Sequence, residues 1–280
     1  MNFVNSSLAT IHYFVKKLVI IPTYNEKENI SNILHAIFNL NEGFHILVID
    51  DSSPDGTANI VKELQLKFEG LFLRERKGKQ GLGTAYIYGF KWAITNNYQF
   101  IFEIDADFSH NPADLSRLYN ACKNEGVDVA IGSRYVKGGG IANWPNNRIL
   151  LSKGASVYTR LITWMPVKDP TAGFVCYKKE VLETINLDEI HFTGYAFQIE
   201  MKFAAWKLHF KLKELPIIFQ DRTFGTSKMN KGIVKEGILG VLKLRWYSLF
   251  TNYRKRVKKT RIESVEMRTL HNSEVVVEGK

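Results

Sequence analysis

Short apolar runs alternate with helix-period segments along the first half of the chain. Because parallel strands buried on both faces read as near-continuous apolar runs, five such runs predict strands. They span residues 17–22, 44–50, 71–74, 99–105 and 127–133. Apolar residues at helical spacing over 30–38, and the segments 55–66, 83–96 and 112–125, predict helices between these strands. This order predicts an α/β fold, with a mostly parallel open sheet and helices on both faces.

The start of the first predicted helix carries a capping signal. Asn25 followed by Glu28 has the spacing of an N-cap residue and its box partner. We therefore expect Asn25 to cap this helix.

The second half of the chain has a looser pattern. Residues 136–148 are rich in Gly, Asn and Pro and predict a mobile loop. Further segments predict helices over 149–164 and 194–208, a turn and strand over 169–177 and a strand over 215–220. An amphipathic helix is predicted over 232–250. The run at 254–261 contains six basic residues and no acidic residue. The predicted organisation is a tail (1–16), a catalytic domain (17–231), an amphipathic and basic segment (232–262) and a second tail (263–280).

Composition adds a positive charge to this picture. The chain has 38 basic and 28 acidic residues, a formal net charge of +10, which favours nucleic acid, a nucleotide or an anionic membrane surface as partner. Cys122 and Cys176 have neither disulfide-framework nor zinc-ligand spacing. Because neither a signal peptide nor an apolar run of about 18 residues is evident, we expect a cytoplasmic protein that meets a membrane from one side.

Polar clusters follow three of the predicted strands, at residues 22–26, 50–56 and 105–110. Since ligands collect at the carboxyl ends of parallel strands, we expect the clusters to share one edge of the sheet. Asp105 and Asp107 are spaced i and i+2, where a strand would point both carboxylates to the same side. Like charges this close favour a hard divalent cation between them. The alternative is a pair of solvated loop acids, but the sheet-edge location favours the metal.

Other candidate positions allow two interpretations each. Asp50 and Asp51 could bind a nucleoside, form an Asx turn, or divide these roles between them. The Gly-rich stretch 77–85 fits neither a dinucleotide nor a Walker loop, so it either lines a nucleotide site or forms a plain turn. The helix at 232–250 either lies among lipid headgroups or packs on the domain. Cations of the type that binds phosphate follow downstream at Arg134, Arg148, Arg222 and Lys228.

Taken in order, the motifs resemble those of family-2 glycosyltransferases, most closely the dolichol- and polyprenol-phosphate mannosyltransferases. The motifs are PTYNE, VIDDSSPDGT, KGKQGLGTAY, DADFSHNP, IGSRYVKGGG, Arg148-x-x-x-Ser152, DPTAGF, GYAFQIEM and DRTFGTSK. They cover residues 17–244, and the longer motifs are far more specific than the two aspartates alone. The resemblance implies a GT-A nucleotide-sugar-binding fold and the transfer of mannose from GDP-mannose to a polyprenyl phosphate at the cytosolic face of a membrane.

The resemblance also implies a role for each matched residue. Asp105 and Asp107 would hold Mg²⁺ or Mn²⁺, with a third metal contact at Ser109, where family members often carry Gln. Arg134 and Lys228 would join the two aspartates as catalytic residues. The acceptor phosphate would contact Arg134, Arg148 and Ser152. The nucleotide sugar would contact both aspartates together with Pro22, Tyr24, Glu26, Ile49, Asp51, Ala106, Arg222 and Lys228.

The expected chemistry follows from the acceptor. A phosphate monoester has a second pKa near ~6, so it is largely anionic at neutral pH and needs no strong general base. A phosphate oxygen would attack the sugar C1 opposite the departing diphosphate and invert that centre, while the cation and Lys228 offset charge on the leaving group. The expected partners are the nucleotide sugar, the lipid and an anionic membrane surface, and a small membrane partner protein is left open.

Two alternatives stand beside this interpretation. The same chemistry can use another donor, such as UDP-glucose. A nucleic-acid-binding module would explain the positive charge, but it gives no role to Asp105 and Asp107 at a strand end, so we expect no nucleic-acid partner.

Overall fold

The computed structural model describes residues 15–194, 196–221 and 231–254. Nine strands lie in this part of the chain. They are β1 (Lys17–Thr23), β2 (Phe44–Asp50), β3 (Leu71–Glu75), β4 (Phe100–Glu103), β5 (Val129–Ser133), β6 (Gly140–Ile141), β7 (Val175–Lys178), β8 (Leu212–Pro216) and β9 (Ile218–Phe219). Seven form one sheet in the order β3-β2-β1-β4-β7-β5-β8, while β6 and β9 pair separately. The predicted mostly parallel sheet is confirmed, because within it only β7 runs antiparallel to its neighbours.

Helices cover both faces of this sheet, as predicted. They are α1 (Ile30–Phe38), α2 (Thr57–Gln65), α3 (Leu82–Thr95), α4 (Asp114–Asn124), α5 (Asn146–Thr163), α6 (Lys179–Thr184), α7 (Ala196–Lys207) and α8 (Lys231–Tyr247). Alternate residues of β1 point to opposite cores: Leu18 and Ile20 pack with apolar residues of α3, α6, α7 and α8, whereas Val19 and Ile21 pack with those of α1, α2 and α4.

Four local predictions are wrong. The predicted loop at 136–148 contains the short strand β6 and the start of α5. Asn25 does not cap α1, because it takes a left-handed conformation (φ 59°) in the preceding turn and the helix begins after Asn29. The predicted strand at 215–220 is split, because the chain leaves the main sheet at Pro216 and pairs again as β9 with β6. The fourth strand ends at Glu103 rather than at Asp105, since residues 106–110 form a turn and bend with Phe108 at φ 59°.

The antiparallel direction of β7 positions the candidate site. β7 lies between β4 and β5 and runs against both. Its amino-terminal end therefore lies at the edge where the parallel strands have their carboxyl ends. As a result, the turn at residues 169–174, which precedes β7, meets the segments that follow β4 and β5.

Candidate active site

A cavity of about 600 Å³ opens at this edge of the sheet. It brings together six residues that the sequence marks as metal or acceptor ligands. Those lining the cavity are Asp105, Asp107, Ser109, Arg134, Arg148 and Ser152. The cavity therefore combines carboxylates, which can bind a cation, with arginines, which can bind an anion.

Asp105 and Asp107 lie in the segment after β4 and not in a strand, Asp105 just before the turn and Asp107 within it, and both line the cavity. The side chain of Asp105 is 40% exposed, whereas Asp107 is buried and its Oδ1 accepts the Ser109 amide at 3.1 Å. Among the described residues, no group of three or more His, Cys, Asp and Glu side chains could hold a metal ion. Two carboxylates and a neighbouring hydroxyl fit a hard cation that takes its other ligands from phosphate and water.

His110 lies directly behind these carboxylates. Its buried ring stacks on Phe174 with centroids 5.1 Å apart, and its Nδ1 lies 3.8 Å from Oδ2 of Asp105. Burial lowers the pKa of His110 to about 4, so the imidazole is neutral at neutral pH. In that state it adds no positive charge beside Asp105.

The structure shows the turn role for Asp50, while nucleoside contact by Asp51 stays a prediction. Asp50 is fully buried and forms the turn, since its carboxylate accepts the Ser53 amide at 2.8 Å and the Thr23 hydroxyl at 2.8 Å. Asp51 instead faces the Gly-rich segment, where Arg76 binds it through Nε at 2.7 Å and Nη2 at 2.8 Å. Sequence reasoning missed Arg76, because no motif joins residues 25 positions apart.

The other predicted nucleoside contacts lie around the ends of β1 and β2. Tyr24 is half-buried, with the Lys79 ammonium 5.0 Å from its ring centroid, so the Gly-rich segment does line this region. Glu26 accepts the Asn29 side-chain amide at 2.9 Å. Pro22 is half-buried, whereas the side chain of Ile49 is fully buried in the core. Nucleotide contact by these residues stays a prediction, and for Ile49 it would have to come from the backbone.

The predicted acceptor ligands are held by residues to which the sequence assigned no role. Arg134 is bound by Asp169, and this hydrogen-bonded carboxylate raises the pKa of Arg134 although burial acts to lower it. The Arg148 guanidinium lies 3.7 Å from the Trp144 ring centroid. Ser152 accepts a hydrogen bond from the Tyr135 hydroxyl at 2.6 Å. The motif DPTAGF contained Asp169, so here the sequence did carry a signal.

Two oppositely charged residues lie beneath the cavity and were also missed. Glu103 ends β4, Lys202 lies on α7, and both are fully buried. Burial is the main cause that raises the pKa of Glu103 to about 8 and lowers that of Lys202 to about 8, and the attraction between them opposes each shift. Arg222 and Lys228, the two predicted donor cations, lie outside the described residues.

One wall of the cavity continues into an exposed apolar surface. Leu150 and Leu151 of α5 and Val241 of α8 line the cavity. On α8, Val241 and Leu244 are buried, so this face packs on the domain, while other side chains remain exposed. The exposed apolar residues of the two helices and their ends, here called the apolar face, are Leu150, Leu151, Val157, Leu161, Trp164, Leu239, Leu242, Trp246, Leu249 and Phe250. In the described part of the chain, no helix has the length and apolarity needed to span a membrane.

Comparison with known sequences identifies relatives over most of the chain. Residues 18–185 match the model of glycosyl transferase family 2. The polyprenol monophosphomannose synthase of Mycolicibacterium smegmatis is 43% identical, over 83% of this chain and 88% of its own length. The undecaprenyl-phosphate mannosyltransferase of Micrococcus luteus is 39% identical, over 84% of this chain and 98% of its own.

Solved structures share the fold. The glucosyl-3-phosphoglycerate synthase of Mycobacterium tuberculosis, solved with Mn²⁺, UDP and glucosyl-3-phosphoglycerate, has a TM-score of 0.62 at 15% identity and covers 82% of this chain and 80% of its own. A mannosyltransferase of Pyrobaculum calidifontis, solved with GDP-Man and Mn²⁺, has a TM-score of 0.50 at 15% identity and covers 85% of this chain and 75% of its own. The predicted GT-A fold is confirmed.

Proposed function

We propose that this chain, which belongs to glycosyltransferase family 2, transfers mannose from GDP-mannose to the phosphate of a polyprenyl lipid, with inversion at the sugar C1. This proposal depends above all on one observation: Asp105, Asp107, Arg134 and Arg148 line the same cavity. Relatives that share 39–43% of their residues with the chain are named for this type of transfer.

The donor side of the cavity would hold the nucleotide diphosphate. Asp105 and Asp107 would bind Mg²⁺ or Mn²⁺, and when bound this ion would supply Lewis-acid stabilisation of the leaving diphosphate. Asp51 and Tyr24 would face the nucleoside, and their contacts with Arg76 and Lys79 bring the start of the Gly-rich segment and the residue before it to the same place. The donor contacts would thus come mainly from the first half of the chain, with Arg222 and Lys228 added from the second.

The acceptor side would hold a lipid phosphate. Arg134 stays charged and is fixed in direction by Asp169, and Arg148 is fixed by the Trp144 ring. These two guanidiniums and the Ser152 hydroxyl would align a phosphate oxygen with the sugar C1. Because that oxygen is already anionic at neutral pH, the reaction needs alignment and charge stabilisation rather than a strong base.

The apolar face would place this cavity at a membrane surface. Arg245 lies 4.8 Å from the Trp164 ring centroid, so a basic and an aromatic side chain meet where the ends of α5 and α8 come together. Trp and Arg beside exposed Leu are typical of helices that lie among lipid headgroups. We infer peripheral attachment to an anionic, cytosolic membrane face, and the basic run at 254–261 would add electrostatic attraction.

A donor and metal panel tests the proposed function. The wild type should transfer mannose from GDP-mannose, but not glucose from UDP-glucose, to polyprenyl phosphate in detergent with Mn²⁺, and EDTA should abolish transfer. The variant carrying Asp105→Asn and Asp107→Asn should lose transfer and Mn²⁺-dependent GDP binding in isothermal titration. Asp114→Asn, at a carboxylate outside the cavity, is the control and should retain both. Glucose transfer in place of mannose transfer would refute the donor assignment.

A further inference from the structure

Lys202 is a fully buried lysine with three hydrogen bonds, all directed at structure around the cavity. Its Nζ donates to the Ala172 carbonyl at 2.6 Å, the Gln198 carbonyl at 2.9 Å and Gln198 Oε1 at 3.1 Å. Lysine is almost never fully buried without partners, because burying a charge is costly. Its three acceptors join α7 to the turn at 169–174.

That turn connects both sides of the proposed active site. At its start, Asp169 binds Arg134 on the acceptor side. Near its end, a Cβ built on Gly173 would lie 4.0 Å from Oδ2 of Asp105, on the donor side. The Lys202 bond to Ala172 falls between these two points. A shift of Ala172 would therefore move both Asp169, which binds Arg134, and Gly173, which lies beside Asp105.

Gln198 is the second group that Lys202 orients. Because the ammonium takes Oε1, the amide is fixed with its Nε2 on the other side. Nε2 is buried, lies 3.8 Å from a Cβ built on Gly173 and faces Glu103, whose pKa the Gln198 side chain acts to lower. Gln198 also lines the cavity. Lys202 thus orients the Gln198 amide, a polar group that lines the cavity, although Lys202 itself does not line it.

Glu103 is the buried acidic side chain whose ionised form Lys202 favours. The described hydrogen bonds of Lys202 go to Ala172 and Gln198 and not to Glu103, so its effect on Glu103 is electrostatic, and the Gln198 amide also acts to lower the pKa of Glu103 against burial. Glu103 closes the strand that leads into the Asp105 turn. A purely structural explanation would be that Lys202 only neutralises Glu103. The directed bonds to Ala172 and Gln198 go beyond what neutralisation requires.

We propose that Lys202 is a positioning residue, which holds the turn at 169–174 and the Gln198 amide in the arrangement that the donor diphosphate and its cation require. The last clause rests on the proposed function. The holding of the turn does not, and it can be measured without any substrate.

The test compares Lys202→Met with the double variant Lys202→Met/Glu103→Gln, which removes the opposite charge as well. Met201→Leu, a volume-conserving change at the neighbouring buried position, is the matched control. The readouts are thermal melting, hydrogen–deuterium exchange of the 169–174 amides, and KM for GDP-mannose and for Mn²⁺. If the single variant does not fold, the double variant carries the same measurements.

We expect Lys202→Met to melt earlier, to exchange faster at 169–174 and to raise both KM values roughly tenfold, as loss of an outer-shell partner does at metal sites. The double variant should recover melting temperature, because no buried charge remains unpaired, while keeping fast exchange and high KM. Recovery of exchange and KM along with melting would overturn the proposal, since Lys202 would then only balance Glu103. If the wild type transfers no sugar, the proposed function fails, and normal exchange in Lys202→Met would still refute the positioning role.

Discussion

Arg134 binds Asp169 through two nitrogens, with Nε 2.8 Å from Oδ2 and Nη2 2.6 Å from Oδ1. Both side chains are almost fully excluded from water, at 9% and 0% exposure. The arginine assigned to the acceptor phosphate is therefore oriented by a residue that lies 35 positions later in the chain. The two residues act as one unit, which has consequences for both stability and transfer.

We expect Asp169→Asn to lower the free energy of unfolding by about 3 kcal/mol, because it leaves the Arg134 charge buried without its partner. Urea denaturation measures this loss. Asp114→Asn breaks an ion pair with Arg117, whose side chain is 47% exposed, and should cost less than about 1 kcal/mol. Equal losses at the two sites would contradict the buried-pair interpretation.

Arg76→Lys should weaken GDP binding roughly tenfold in the presence of Mn²⁺, because a lysine ammonium cannot reproduce the two-point contact with Asp51. Isothermal titration gives the dissociation constant. The control is Arg74→Lys, since Arg74 contacts the Trp92 ring and not Asp51. An unchanged GDP affinity in Arg76→Lys would separate Asp51 from nucleotide binding.

Leu161→Glu should reduce binding to vesicles rich in anionic lipid without changing the melting temperature. Leu161 is 68% exposed on the apolar face, so the substitution removes a lipid contact and adds like-charge repulsion. Leu66→Glu introduces the same charge at a leucine that is 89% exposed on another helix end, and vesicle cosedimentation should not change. Equal losses in the two variants would argue against a specific membrane face.

The stability of the metal-free protein should fall as the pH is lowered from about 6.5 to 4. Burial lowers the pKa of His110 to about 4, so in this range the unfolded chain binds a proton that the folded protein does not. The sign is therefore destabilising on acidification, by up to about 3 kcal/mol. Urea unfolding in EDTA across this range measures the effect.

His110→Phe keeps an aromatic ring against Phe174 but cannot titrate. This variant should lose the part of the pH dependence that His110 contributes. A variant with the full acid sensitivity of the wild type would assign that sensitivity to other groups.

Apolar patterning alone predicted most of the fold. The run at 44–50 coincides with β2, and the helical spacing at 30–38 coincides with α1, because buried strands and amphipathic helices have distinct periods. The direction of β7 and the split of β8 from β9 were not predictable in this way. Both depend on which distant strand a short segment pairs with, and short segments carry little information about their partners.

The sequence predicted which residues form the candidate site better than it predicted where their side chains lie. The sequence located Asp105 and Asp107 at the end of a strand, whereas both lie beyond β4, with Asp105 partly exposed and Asp107 buried. Partners such as Arg76 for Asp51 are set by tertiary contact between separate loops, so no spacing rule finds them. No spacing rule finds Lys202 either, because in the sequence it resembles any other lysine of a helix, and only the tertiary structure shows that it is buried.

The reversed direction of β7 couples the two halves of the proposed site. The turn that leads into β7 carries Asp169, which binds Arg134, and Gly173, which lies beside Asp105. A graft of residues 134–174 from a relative would therefore change the surroundings of both proposed ligands at once. Donor and acceptor specificity would then evolve as linked traits rather than as independent modules.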